Sequence, residues 1–173
     1  MKVLVNILRI FVGSLFIFSG LVKINDPVGF SFKLEEYFGP TVFDIDFLMP
    51  YTLALAIFIV ILEVILGLFL LIGFKPKLTI WTMLLMIIWF TFLTWYSAYY
   101  NKVTDCGCFG DAIPLTPWES FTKDIFLLIF ILIIFYKIDI IKPIINFKNQ
   151  IIISIISFII SCAIVYRVIE HLP

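Results

Sequence analysis

Two cysteines one residue apart, Cys106 and Cys108, stand in the run Asp105-Cys106-Gly107-Cys108-Phe109-Gly110-Asp111. A disulfide between them would close a tight, strained ring, and Gly107 is the residue type that tolerates the backbone angles such a ring demands. Strain makes a disulfide easier to reduce. The pair therefore suits exchange with a partner's thiols better than permanent stapling, provided that it faces an oxidising compartment. Gly110 and the carboxylates of Asp105 and Asp111 shape the loop, and those acidic neighbours disfavour a highly reactive thiolate. Three other readings fit the same residues. They are a structural turn, two unconnected thiols, and a soft-metal site for Cu(I) or Zn²⁺ completed by Asp105, Asp111 or the only histidine, His171. Redox exchange is the favoured reading of the four.

Glu63 is the second residue whose place demands a reason, because ten apolar or glycine residues flank it on either side. A carboxylate at such depth in a membrane is expensive, and intramembrane ionisable residues are functional candidates by default. Glu63 could relay a proton or hydrogen-bond a ligand such as a quinone. The structural alternative is a protonated Glu63 bonded to a neighbouring helix, where Trp89 and Thr91 fall at similar depth with an indole N–H and a hydroxyl. Cys162, in the last apolar run, reads mainly as a small apolar residue.

The elements that must position these groups are membrane helices. Of the 173 residues 63% are hydrophobic and 14% charged, and the mean hydropathy is +1.17, far from the composition of a soluble domain. Backbone polar groups in lipid must pair internally, which leaves helices or a closed barrel, and the alternating pattern of a barrel is absent. Apolar stretches at roughly 3–22, 52–73, 78–100, 118–136 and 150–168 are each long enough to span about 30 Å of hydrocarbon. The first is read as a retained helix and not a signal peptide, because no small-x-small cleavage pattern follows it. The fourth is the least apolar, with Glu119, Lys123 and Asp124 in its opening turns. Its start is nevertheless marked by Thr116, Pro117 and Glu119, a capping box with proline at the first helical position, and Lys123 is expected to snorkel toward the headgroups.

Between the first two spans, Asp26 and Pro27 read as the N-cap and first position of a short helix that Gly39 and Pro40 stop. Phe30, Leu34, Tyr37 and Phe38 share one face of it, while Ser31, Lys33, Glu35 and Glu36 face the other way, as in a helix lying in the membrane interface. Orientation follows from basic residues in the short connections. With the N-terminus inside, the inner face collects Lys2, Arg9, Lys75, Lys77, Lys137, Lys142 and Lys148, and the outer face holds Lys23, Lys33, Lys102, Lys123 and Arg167. That choice places the cysteine loop outside, together with the C-terminus.

The segment Gly13 to Phe38, GSLFIFSGLVKINDPVGFSFKLEEYF, resembles the opening of bacterial DoxX-like membrane proteins. The Glu63 to Gly73 stretch, EVILGLFLLIG, and the loop DCGCFGD are similar to the DoxX/MauE group, whose MauE branch is associated with methylamine utilisation and maturation of a disulfide-rich dehydrogenase subunit. The resemblance covers roughly residues 3–136. It implies an all-α membrane protein with a four-helix transmembrane core over residues 1–136, to which this chain adds a cytoplasmic connection, a fifth transmembrane helix and a short outer tail over 137–173. It also implies a bacterial inner-membrane location and a redox process involving thiols, sulfur or quinone. The reading that results is an envelope thiol–disulfide redox protein, with Cys106 and Cys108 exchanging electrons with a periplasmic thioredoxin-like or cysteine-containing partner and Glu63, with Trp89 and Thr91, serving coupling to a membrane quinone. A non-catalytic assembly subunit that binds its partner through the outer loops is the alternative, and soft-metal handling a weaker one. No nucleic-acid partner is expected.

Overall fold

The computed structural model describes residues 2–40, 42–101 and 115–171. Cys106 and Cys108, with Asp105, Gly107, Gly110 and Asp111, lie outside the described residues. Among the described residues six α-helices follow one another: α1 Lys2–Ile24, α2 Pro27–Phe38, α3 Thr52–Ile72, α4 Pro76–Tyr100, α5 Pro117–Tyr136 and α6 Phe147–His171, with a 3₁₀ turn Asp46–Tyr51 leading into α3. Among the described residues there is no strand.

Among the described residues four helices have the length and hydropathy of membrane spans: Lys2–Ile24, Asp46–Ile72, Pro76–Tyr100 and Phe147–His171. Helix α5, the expected fourth span, falls outside that set because every window of its 20 residues carries Glu119, Lys123 and Asp124. It nonetheless runs antiparallel along α4, from a Thr94–Asp124 contact near one end to Trp81 against Phe135 near the other. Its first turn is tied as the sequence predicts, with Glu119 Oε2 accepting from the Thr116 N–H at 2.8 Å and the Glu119 N–H donating to Thr116 Oγ1. Lys123, expected among the headgroups, instead turns to Asp124, 2.8 Å away.

Helices α1 and α3 make the closest approach, because glycine lets their backbones meet. A Cβ on Gly67 would lie 2.6 Å from the Gly13 carbonyl oxygen and 2.9 Å from the Ile17 nitrogen. Helix α2 then folds over the open end of this pair. Asp26 caps it by accepting from the Gly29 N–H at 2.7 Å, and the buried face is Phe30, Leu34, Tyr37 and Phe38 as expected. Ser31, expected to face outward, is buried as well, its hydroxyl satisfied by the Val28 carbonyl at 2.7 Å. Glu35 is tied down from α3 by the Thr52 hydroxyl at 2.9 Å.

At the opposite end α3 stops at Gly73, whose φ of +75° is the left-handed conformation glycine adopts without strain. The carbonyls that a helix end leaves orphaned are all answered there. Arg9 of α1 donates to Leu70 (2.7 Å) and Leu71 (2.6 Å), and the Ile144 N–H donates to Ile72 (3.1 Å). Helix α6 packs last, with only Gln150, Ser161 and Val165 buried.

Two apolar clusters fill the interior. One joins Leu8, Val12 and Phe16 to Leu70, Met83, Ile87 and Ile131. The other gathers Ile24, Phe30, Tyr37, Val60 and Phe90 under α2. The polar centre lies where they meet.

Candidate functional site

The buried stripe of α1 runs through Val5, Arg9, Val12, Phe16, Ser19 and Lys23, spacings of three and four that put every member on one face. Lys23 therefore points into the bundle, only 2% exposed, and not into the outer aqueous layer where the basic-residue count had placed it. Opposite it stands Glu63, eleven residues into α3 and so about 16 Å along the helix axis from its start. The Lys23 ammonium donates to Glu63 Oε2 at 2.7 Å and to Ser19 Oγ at 3.2 Å. Phe90 and Phe30 flank the ammonium at 4.9 and 5.4 Å from their ring centroids, contacts that stabilise a desolvated cation.

A second buried acid faces the same spot from α5. Ser120, Asp124, Leu127, Ile131 and Ile134 form that helix's inward stripe, again at helical spacing. Asp124 Oδ2 accepts from the Thr94 hydroxyl of α4 at 3.0 Å, and Asp124 Oδ1 meets Lys123 at 2.8 Å. Lys123 is the outermost member, its side chain 21% exposed. Between the two ion pairs lies a cavity of about 20 Å³ bordered by Ser19, Lys23, Glu63, Phe90, Lys123 and Asp124. Space of that size holds about one water, which would find several polar partners there.

Glu63 is thus buried in the bundle as expected, but its partner is different. Trp89 is 43% exposed on the lipid-facing side of α4, and the Thr91 hydroxyl donates along its own helix to Ile87 at 2.6 Å. Antiparallel depth alone cannot tell which face of α4 turns inward, and that face presents Phe90 and Thr94. Nor does the cavity beside Glu63 suit a quinone ring, since pockets for organic ligands run to about 300 Å³ or more.

The groups at the centre can do acid–base chemistry. Two carboxylates and two ammonium groups border one small cavity, residue types that can carry protons, and each charge there has a partner of opposite sign. Lys23 and Asp124 were not singled out from the sequence. The signal was present in both cases, since each continues a buried stripe at steps of three and four. Cys162 lies partly buried on α6 beside the α2 cluster.

The family model described as methylamine utilisation protein MauE matches residues 1–137, which takes in α1 to α5 and ends before α6. No curated protein and no solved structure matches the chain.

Proposed function

The chain belongs to the MauE family, and on that premise we propose that it is a cell-envelope thiol–disulfide exchange protein, inserted in the inner membrane with its cysteine loop on the outer face. The observation that carries this reading is the Cys106-Gly107-Cys108 pair in the connection between α4 and α5. Both ends of that connection emerge above the polar centre, as Asp124 is seven residues into α5, about 10 Å along its axis. The family's description, methylamine utilisation, is in keeping with a protein that serves another enzyme's maturation.

In the exchange, a thiolate of a cysteine-containing periplasmic partner attacks the Cys106–Cys108 disulfide. One sulfur–sulfur bond forms between the proteins and the loop bond breaks, releasing one loop thiolate. The partner's second thiolate then displaces the remaining loop sulfur. The partner leaves oxidised, the loop is left as a dithiol, and two protons pass from the partner's thiols to the loop's sulfurs. Run in reverse, the same steps reduce a partner disulfide. The proposed part of the buried carboxylates is to relay protons beneath the loop during this exchange, with no net gain or loss of protons at the centre.

Thiol labelling in intact cells tests this directly. With Cys162→Ser leaving only the loop pair, a membrane-impermeant maleimide is expected to label the protein after mild reduction and not before. Labelling that requires permeabilised cells would reverse the orientation and remove the redox reading. Free outer thiols labelled without reduction would favour a non-catalytic assembly subunit.

A further inference from the structure

At the end of the bundle where α1 begins and α3 finishes, a cavity of about 440 Å³ opens between α1 and the connection after α5, bordered by Asn6, Arg9, Ile10, Leu71, Lys142 and Ile144. Arg9 is only 6% exposed. Its contacts are backbone carbonyls, those of Leu70, Leu71 and, at 3.4 Å, Lys142. Among the described residues no carboxylate pairs with it. A buried cation so placed leaves its charge for an anion, and the guanidinium fork suits phosphate oxygens.

The cavity continues into a second, apolar one. A groove of about 580 Å³ follows α1 past Ile7, Ile10, Phe11, Ser14, Leu15 and Phe18, and Ile10 borders both spaces. A site with a basic head and an apolar tail fits an amphiphile. Its depth agrees, because Arg9 meets the Leu70 and Leu71 carbonyls at the very end of the α3 span, toward headgroup level. Asn6, exposed amid exposed Val3, Ile7 and Ile10, is a polar side chain set into an otherwise apolar outward stripe, where a headgroup would give it a partner.

We infer that this end of the bundle binds one anionic phospholipid, its phosphate held by Arg9, Asn6 and Lys142 and one acyl chain lying along α1. The surrounding charge selects the lipid class. Lys2, Lys75, Lys77, Lys137 and Lys148 share this end with one acid, Asp139, so a headgroup carrying its own cation is disfavoured relative to one that is purely anionic. The site is separate from the cysteine loop and from the Lys23–Glu63 centre, and it stands whether or not thiol exchange does.

Native mass spectrometry of the purified full chain tests it, with phosphatidylglycerol, phosphatidylcholine or inorganic phosphate added in turn. Arg9 is left unvaried because it closes α3. The expected result is one tightly retained phosphatidylglycerol per chain. Lys142→Gln should weaken it about fivefold, and Ile10→Trp, which fills the junction between head and tail, should weaken it as well. Equal retention of phosphatidylcholine, or unchanged binding in both variants, would reduce the site to ordinary annular lipid and overturn the inference. Inorganic phosphate bound as tightly as the lipid would overturn it in favour of a free-anion site.

Discussion

The Lys23–Glu63 pair illustrates how costly one residue becomes once lipid and protein have excluded water. Breaking a buried ion pair by removing one charge leaves the other uncompensated, whereas replacing both with apolar groups of similar size is often tolerated. Glu63→Gln or Lys23→Met alone should therefore destabilise the bundle by about 3 kcal/mol or more, while the Lys23→Met, Glu63→Leu double variant should recover most of the loss. Thermal unfolding in detergent followed by tryptophan fluorescence would measure the cycle. A double variant as unstable as the sum of the singles would mean that the two residues do not act as a pair. Thiol exchange assays on the double variant would then separate stability from proton handling, because an intact fold with slowed exchange is expected only if the carboxylate serves the chemistry.

Among the elements, the α1–α3 contact is the one with least room to adjust. Gly67 faces the Gly13 carbonyl and the Ile17 nitrogen, both backbone atoms, so the two helices must separate to admit a methyl group. Gly67→Ala is expected to cost about 1–3 kcal/mol, seen as a lowered unfolding temperature, and Gly67→Leu to prevent assembly. An unchanged melting profile for Gly67→Ala would show that α1 and α3 slide freely. Much at this scale was legible in the sequence. The Asp26-Pro27 start of α2, its apolar face and the Thr116 capping box follow from local rules that tertiary packing did not override. Ser31 and Lys23 were misjudged, and Asp124 passed over, because polarity was allowed to outweigh position, although each sits at a helical step from buried neighbours. Trp89 and Thr91 failed for a different reason. Depth in the membrane is readable from residue count, but the rotation of α4 is set by which helices flank it, and that is a property of the assembled bundle.

For the whole molecule, the family match ends at residue 137 and the packing changes character soon after. Helix α6 is mostly exposed along its length, and its anchors are Val165 and Ser161 toward one end and the Gln150 contact with Ile72 (3.5 Å) at the other. A chain ending at residue 141 should thus still form the α1–α5 bundle, with a lowered unfolding temperature and not a lost transition. All four tryptophans, Trp81, Trp89, Trp95 and Trp118, remain in such a chain to report it. Loss of the cooperative transition would instead make α6 part of the core. The truncation removes Lys142, Pro143 and Ile144 from the lipid site as well, so it should also weaken phosphatidylglycerol retention by about fivefold or more.

Arg9 and Lys23 are fourteen residues apart on one face of α1, about 21 Å along its axis. During biosynthesis α1 enters the bilayer before its partners exist, and there each long cationic side chain can reach the headgroups of its own leaflet. A lone α1 is thereby held across the membrane at both ends, like a rope tied to two posts. In the folded bundle the C-terminal carbonyls of α3 hold Arg9 with its charge still available to a headgroup, and the single carboxylate of α3 gives Lys23 its partner inside. The same two residues thus act first as a topological anchor and later as the joinery of the bundle, so the order in which the helices emerge from the ribosome is also the order in which their charges find partners.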